Sequence, residues 1–271
     1  MLDVRQLLRG PGFALSEVRC SHDQRQPALI ETAARDALVI VRSGTFRRRV
    51  GGSWDVLERN VAYFQRSGDE QEFAHPVAGG DRCMTVTLGP AFAHVELPPR
   101  AFATHARVDL LARRLLARAR AGSDGGDLEE AALEVTSAAL DDARAQQQRR
   151  GLPSRHRLAE RAREALAEDM RLGLASIASR LDCTPDHLGR AFRETSGSTF
   201  TAYRRRMRVR VVLERIAEGD AGLARLAAEA GFADHAHMTR SIKVECGATP
   251  GSLRELIRAD GWLESRRGPA A

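Results

Sequence analysis

The spacing of apolar residues changes part-way along this chain. From about residue 28 to residue 88, short apolar or alternating runs are separated by turn residues, as in β-strands. Residues 37–41 are continuously apolar, and Gly51-Gly52 predicts a tight hairpin after residues 46–50. Further strands are predicted at 54–57, 61–64, 72–75 and 83–88. This pattern predicts a small antiparallel β-barrel or sandwich.

Beyond residue 105 the apolar spacing is helical. A helical pair is predicted at 107–120 and 127–148, and the polar segment 146–154 reads as an interdomain linker. Thr184-Pro185, Thr249-Pro250 and Asp234 mark helix starts. Seven further helices are predicted, at 157–170, 174–181, 185–196, 199–218, 223–230, 235–245 and 250–257.

We therefore predict an α+β multidomain protein. Its three regions are a barrel over 1–104, the helical pair and linker over 105–150, and an all-α domain of about seven helices over 151–262.

An internal repeat gives the most specific prediction. Leu174, Ile177 and Ala178 recur 49 residues later as Leu223, Leu226 and Ala227. After one extra residue in the second unit, the shift becomes 50. Arg190, Phe192, Gly197, Thr199 and Arg204 then recur as Arg240, Ile242, Gly247, Thr249 and Arg254. A short helix, a tight turn, a second helix and a capped stop form a helix-turn-helix unit, so the chain carries two.

The second helix of each unit has an outward polar face that suits base and phosphate contact. The connector at 199–218 is roughly 30 Å long, close to the ~34 Å between successive major grooves. Two recognition helices in adjacent grooves are therefore predicted. Arg204 and Arg254 are assigned to phosphate contact, whereas the other connector arginines, at 205, 206, 208 and 210, are mostly expected on a solvated face. The predicted DNA contacts are Asp186, Gly189, Arg190, Arg193, Arg204, His235, Ala236, His237, Thr239, Arg240, Lys243 and Arg254.

Charge supports a polyanionic partner. Lys and Arg exceed Asp and Glu by 21 to 16 over residues 153–267, but only by 21 to 20 over the rest. No apolar run approaches the roughly 20 residues that span a bilayer. Residues 1–10 have no apolar signal core, so no membrane association and a cytoplasmic location are expected. Nothing in the sequence pairs a nucleophile with a base, so no enzyme activity, catalytic residue or cofactor is predicted.

Residues 174–197 (LASIASRLDCTPDHLGRAFRETSG) and 230–250 (AGFADHAHMTRSIKVECGATP) resemble the AraC/XylS family of bacterial transcription regulators. The resemblance implies base contacts from Asp186, Gly189 and Arg190, and from His235, Ala236, His237 and Arg240. Met238 stands where the family has Phe, residues 241–246 are less basic and aromatic than usual, and Gly189 offers no side chain. Whether the second unit reads bases or contributes mainly backbone contacts stays open.

Residues 68–83 resemble the cupin-like sensory domains that many members of that family carry. The resemblance implies an N-terminal domain that binds a small effector and a helical pair that forms a homodimer. RNA polymerase is a further candidate partner. His22 and His75 are the effector contacts that the sequence offers, and the effector itself is not identified.

Cys20, His22, His75 and Cys83 could form a metal or redox site if the strands bring them together. Their spacing matches no zinc motif, so core packing or turn hydrogen bonding is the favoured interpretation and no metal is predicted. Three hypotheses remain: an effector-responsive regulator, a regulator whose barrel only dimerises or binds a protein, and a cupin enzyme fused to a DNA anchor.

Overall fold

The computed structural model of the chain describes residues 2–10, 12–21, 29–75, 80–148, 153–219 and 222–259. His22 and the centre of the predicted linker, 149–152, lie outside these ranges. Within them, ten strands precede nine α-helices. The strands are β1 Leu2–Arg9, β2 Phe13–Cys20, β3 Leu29–Thr32, β4 Ala37–Ser43, β5 Thr45–Val50, β6 Ser53–Glu58, β7 Val61–Gln65, β8 Glu70–Ala74, β9 Asp81–Leu88 and β10 Phe102–Ala103. The helices are α1 Ala106–Ala121, α2 Gly125–Gln147, α3 Pro153–Glu168, α4 Leu174–Arg180, α5 Pro185–Ser196, α6 Phe200–Ala217, α7 Leu223–Glu229, α8 His235–Cys246 and α9 Pro250–Ala259.

The strands form two antiparallel sheets, as the alternation predicted. Six strands lie in the order β1-β2-β9-β4-β7-β10 and four in the order β3-β8-β5-β6. These two sheets together are called the barrel below. Their order explains the continuous apolar run of β4. Leu38 and Ile40 pack on one side of the large sheet with the helices α1 and α2, whereas Val39 and Val41 face the space between the sheets. Because both faces of β4 are covered, all of its central residues are apolar.

The strand prediction missed four elements, which are β1, β2, β3 and β10. β1 and β2 precede the first predicted strand and pair with each other, and β2 also pairs with β9 along its whole length. β1 is an edge strand whose residues are mostly exposed. Its apolar–polar alternation covers only Leu2 to Arg5 and ends at Gln6, where the register with β2 shifts, so the pattern is too short to mark a strand.

The helical pair packs within the chain. The two helices cover the large sheet, and the opposite side of α1 joins the core of the C-terminal domain through Leu110 and Ala117. The exposed side of α2 includes Leu133, at 39% exposure. A dimer formed through this pair, which stays a prediction, would have only the outer side of α2 and the ends of α1 to use.

The barrel and the C-terminal domain share a polar, buried interface along α6. Arg42 of β4 and Arg113 of α1 both donate to Glu214 Oε2, at 2.6 Å and 2.8 Å. Tyr203 donates its hydroxyl proton to the Glu58 carboxylate at the end of β6. Arg210 donates to the backbone carbonyls of Arg59 and Thr104. Side chains from α6 therefore tie the helix-turn-helix domain to the barrel and to α1.

Candidate nucleic-acid interface

The two halves of the predicted repeat fold in the same way. Ile177 and Ala178 of α4, like Leu226 and Ala227 of α7, are fully buried. On the second helices, Leu188 and Phe192 match Met238 and Ile242, and all four have no exposed surface. Met238 therefore fills the core position that Leu188 fills in the first unit, and its departure from the family pattern lies away from the outward face.

The helix ends repeat as well. Thr184 caps α5 by accepting from the His187 N–H, and Asp234 caps α8 by accepting from the His237 N–H. Each recognition helix ends at a glycine in the left-handed region, Gly197 and Gly247. The threonine two residues later caps the next helix in both units. These caps satisfy the first free N–H groups and fix where each recognition helix starts.

The turns explain the change of offset from 49 to 50. Asp182 and Gly231 hold equivalent places after α4 and α7, and both have positive φ, 52° and 79°. The next residue, Cys183 or Phe232, donates back to an equivalent carbonyl, that of Ala178 or Ala227. The extra residue of the second unit, Ala233, then follows, directly before the cap Asp234.

On α5, the predicted contacts Asp186, Arg190 and Arg193 are exposed, whereas Gly189 is half-buried. Arg190 Nη2 lies 2.8 Å from Asp186 Oδ2. A Cβ at Gly189 would meet Leu174 of α4 at 3.6 Å, an ordinary contact. These residues border a cleft of about 390 Å³ that reaches the start of α6.

On α8, His235, Ala236, Arg240 and Lys243 are exposed. His237 is half-buried, with its ring 5.4 Å from that of Phe232 in an edge-on arrangement. Thr239 is also half-buried, and its hydroxyl is enclosed without a hydrogen-bond partner among the described residues. The exposed set therefore contains one histidine, an arginine and a lysine.

The connector arginines behave differently from one another. Arg204 donates to the Leu172 carbonyl at 2.7 Å and lies over the Phe200 ring. Arg206 and Arg210 are buried, 9% and 3% exposed, so the solvated-face expectation is wrong for both. Their long-range partners, the Glu245 carboxylate and the Thr104 carbonyl, hold them inside the protein. Arg254 is half-buried on α9.

Residues 177–256 match a family model described as a helix-turn-helix domain. This part of the chain is an AraC-type helix-turn-helix domain. The AraC-type domain makes the protein a DNA-binding transcription regulator. Among the described residues, no helix combines the length and apolar character needed to cross a membrane.

Solved structures resemble part or most of the chain. ToxT from Vibrio cholerae is 11% identical, with 90% of this chain and 98% of ToxT covered at a TM-score of 0.36. The C-terminal domain of AraT, a response regulator from Geobacillus stearothermophilus, is 21% identical, with 36% and 84% covered at a TM-score of 0.35. The EutQ protein of Clostridium difficile is 16% identical, with 32% and 68% covered at a TM-score of 0.28. No curated protein matches the chain.

The barrel brings three of the four predicted cysteine and histidine residues together. Cys20, His75 and Cys83 are all buried near Asp81, a residue the sequence analysis did not select. Burial, and then the neighbouring Asp81 carboxylate, raise the pKa of the Cys83 thiol well above its ordinary value. The fourth residue, His22, lies outside the described residues. The sequence does not mark Asp81 as part of this cluster, because its position beside Cys20 follows from the pairing register of β2 and β9.

The interior of the barrel also holds a buried arginine. Arg48 has no exposed surface and lies over the Tyr63 ring at 4.4 Å. Its Nε donates to Gln71 Oε1 at 2.5 Å, whereas both Nη atoms and the Gln71 Nε2 have no hydrogen-bond partner among the described residues. Asp69 Oδ2 lies 3.8 Å from Nη2. Desolvation lowers the pKa of the Arg48 guanidinium.

Proposed function

We propose that the protein binds a two-part DNA site by inserting α5 and α8 into adjacent major grooves. The observation that carries this proposal is the equivalence of the two exposed faces. Arg190 and Arg193 of α5 recur as Arg240 and Lys243 of α8, and all four are exposed. The 18 residues of α6 span about 27 Å, which suits grooves about 34 Å apart once the offset of each recognition helix is added.

The assigned contacts divide by chemistry. Arg190 and Arg240 suit bidentate contact with guanine, and Arg193 and Lys243 suit phosphate oxygens. His235 and Ala236, early in α8, leave room for close approach to base edges. Because Arg204 already donates to a carbonyl, its phosphate contact would use the remaining N–H groups of its guanidinium.

A spacing experiment tests the two-groove arrangement. An operator is first selected from randomised duplexes with the full-length chain. Roughly five base pairs, half a helical turn, are then inserted between its two halves, with a ten-base-pair insertion as a second duplex. Since α6 is one rigid helix, we expect both insertions to reduce affinity to that of a single half-site. Unchanged affinity for either duplex would contradict simultaneous binding by both units.

The barrel is proposed to hold a small effector that carries an acceptor group such as a carboxylate. This rests on the Arg48 Nη atoms and the Gln71 Nε2, which are buried donors with no hydrogen-bond acceptor among the described residues, since Asp69 Oδ2 lies 3.8 Å away. Unpaired buried donors cost about 1–3 kcal/mol each, and an anionic ligand would remove that cost. His75 stacks on Phe46 in the same interior and is a second candidate contact.

Thermal denaturation of the full-length chain with a panel of small carboxylic acids tests this effector. A true ligand raises the midpoint in proportion to the logarithm of its concentration, and Arg48→Met should abolish the shift. Arg49→Met, on the exposed side of the same strand, is the matched control. The alternative is that the barrel only dimerises or binds a protein, and failure of every acid, together with a concentration-dependent dimer in sedimentation, would favour it. We infer no enzyme activity.

A further inference from the structure

The strongest unassigned feature is a cluster of four potential metal ligands where the two sheets meet. Cys20 ends β2 and pairs with Asp81, the first residue of β9. Cys83 lies two residues further on, on the same face of β9, and His75 follows β8 of the other sheet. All four residues are at most 7% exposed.

The distances suit a compact coordination sphere. The ligand atoms of Cys20, His75 and Asp81 all lie within 4.8 Å of one another. His75 Nε2 lies 2.8 Å from Asp81 Oδ2, and Cys83 Sγ lies 3.6 Å from Asp81 Oδ1. In a tetrahedral zinc site, bonds of about 2.0–2.3 Å place neighbouring ligand atoms roughly 3.3–3.8 Å apart. Cys83 is not one of the three residues within 4.8 Å of one another, so its side chain would have to turn toward them to complete such a site.

The backbone around the cluster is built for close approach. Gly80 has a positive φ of 68°, and a Cβ there would lie 2.2 Å from the Cys20 carbonyl oxygen. A Cβ at Gly44 would in turn lie 2.2 Å from the Gly80 carbonyl oxygen. Because neither position accepts a side chain, the start of β9 is held directly against the end of β2.

A second group of acids and histidine shows what a non-metal cluster looks like. Asp55, His156 and Glu160 also approach within 4.8 Å of one another. There, the Arg100 guanidinium donates to Asp55 and lies 3.1 Å from His156 Nε2, so a cation already occupies the group. In the first cluster, His75 and Cys83 instead approach the two oxygens of the Asp81 carboxylate.

We propose that Cys20, His75, Asp81 and Cys83 bind one divalent cation of the zinc class and that the ion cross-links the two sheets. Two thiolates and an imidazole favour zinc over magnesium or calcium, which prefer oxygen ligands. The arrangement differs from the cupin pattern of histidines and a glutamate, which the sequence lacks.

The site lies next to the domain interface. Arg82 lies between the proposed ligands Asp81 and Cys83. It donates at 2.8 Å to Oε1 of Glu218, the residue directly after α6, and lies 3.7 Å from Glu214 Oε1. An ion that fixes Asp81 and Cys83 would also fix the strand that carries Arg82. Metal occupancy would therefore be communicated to the connector between the two recognition helices.

Metal content of the untagged, reduced, full-length chain tests the proposal. After incubation with zinc and desalting, we expect inductively coupled plasma mass spectrometry to find about one zinc per chain. Cobalt should give a thiolate charge-transfer band and the intense visible bands of a tetrahedral site. Cys20→Ser and Cys83→Ser should each lose the cobalt thiolate signal in part, and the double variant should lose it completely. Cys183→Ser, in the turn of the first helix-turn-helix unit, is the matched control. It should retain both the bound zinc and the cobalt thiolate signal.

Wild-type protein without stoichiometric zinc would overturn the proposal, and this measurement does not depend on the folding of any variant. Zinc retained by a folded Cys20→Ser/Cys83→Ser double variant, or lost by Cys183→Ser, would overturn it as well. DNA binding by the AraC-type domain does not enter this measurement, so failure here leaves the proposed function standing.

Discussion

Arg190 Nη2 lies 2.8 Å from Asp186 Oδ2, one helical turn earlier on the first recognition helix. The residue equivalent to Asp186 in the second recognition helix is Ala236, so Arg240 has no acid at that spacing. Both members of the Asp186–Arg190 pair are exposed, and such a pair adds little to stability because water screens it. Its effect is on the direction and local charge of Arg190, and we therefore expect the two equivalent arginines to approach DNA differently.

We expect Arg190→Ala and Arg240→Ala each to cost about 1–3 kcal/mol on the selected operator, because each removes a bidentate contact with a base. Fluorescence anisotropy at fixed salt measures the loss on operator and on unrelated DNA. Arg161→Ala, which removes the same charge from an exposed position of α3, is the control and should change operator affinity far less. Wild-type affinity and sequence preference in both variants would refute the proposed docking.

Asp186→Ala is expected to change specificity in the opposite way from Arg190→Ala. Removal of the carboxylate takes a negative charge away from the DNA-facing helix and frees Arg190, so affinity for unrelated DNA should rise. The ratio of operator to unrelated affinity should fall, since the direction of Arg190 is no longer held. Ala236→Asp in the second helix supplies the reciprocal test and should lower unrelated affinity. Unchanged binding to unrelated DNA in both variants would show that the pair has no electrostatic role.

Glu214→Gln should destabilise the fold by about 3–5 kcal/mol, because it leaves the buried guanidinium of Arg42 without its carboxylate and Arg113 with Asp109 alone. Urea denaturation measures the change in free energy of unfolding. Glu218→Gln is the matched control, since that side chain is 28% exposed, and it should cost well under half as much. Equal effects of the two substitutions would argue against a special role for the buried carboxylate.

The same carboxylate predicts a pH dependence. Burial alone would raise the pKa of Glu214, but Arg42 and Arg113 hold it well below its ordinary value. A carboxyl with a lowered folded pKa stabilises the fold above its unfolded pKa, near 4.3, and this contribution is lost as pH falls toward the folded value. Wild-type stability should therefore drop below about pH 5 more steeply than that of Glu214→Gln. Parallel pH profiles would contradict this assignment.

Tyr203→Phe removes the contact between α6 and the Glu58 carboxylate of the barrel, together with the hydrogen bond between the Tyr203 hydroxyl and Arg163 of α3. The ring packs edge-on against Phe192 and should stay in place, whereas the Glu58 carboxylate loses one buried donor and keeps the Asn60 N–H. We expect a cost of about 1–3 kcal/mol in urea denaturation. Because this contact joins the two domains, hydrogen exchange in α6 should also become faster. Unchanged exchange in α6 with reduced stability would place the effect elsewhere in the fold.

Local signals in the sequence located the helices of the C-terminal domain closely. Thr184-Pro185 and Thr249-Pro250 gave helix starts that the structure keeps, because capping depends on neighbours in the chain. The repeat then aligned the two recognition helices, whose predicted DNA contacts stay predictions. Edge strand β1 was missed because its apolar–polar alternation extends only from Leu2 to Arg5.

Contacts between distant residues were beyond prediction. Arg42 and Glu214 are 172 residues apart, and nothing near either one marks it as buried. Arg206 and Arg210 looked like part of a solvated basic face because a helix surface rich in arginine usually is one. Asp81 lies beside Cys20 through the strand register, and beside His75 through the packing of the two sheets. Such pairings follow from the packing of whole domains, which periodicity does not specify.

The turns of the two helix-turn-helix units make a final test of their equivalence. Gly231→Ala should destabilise the fold by about 1–2 kcal/mol, because an alanine at a φ of 79° is strained and its Cβ would lie 3.4 Å from the Arg208 guanidinium. Asp182 already occupies the equivalent place with a φ of 52°, so Asp182→Gly relieves strain and should change the free energy of unfolding by less than about 1 kcal/mol. Gly189→Ala, at an ordinary helical position with its Cβ 3.6 Å from Leu174, should instead stabilise by about 0.5–1 kcal/mol. Urea denaturation of the three variants gives three different outcomes, and a neutral Gly231→Ala would show that the second turn does not hold the left-handed conformation of the first.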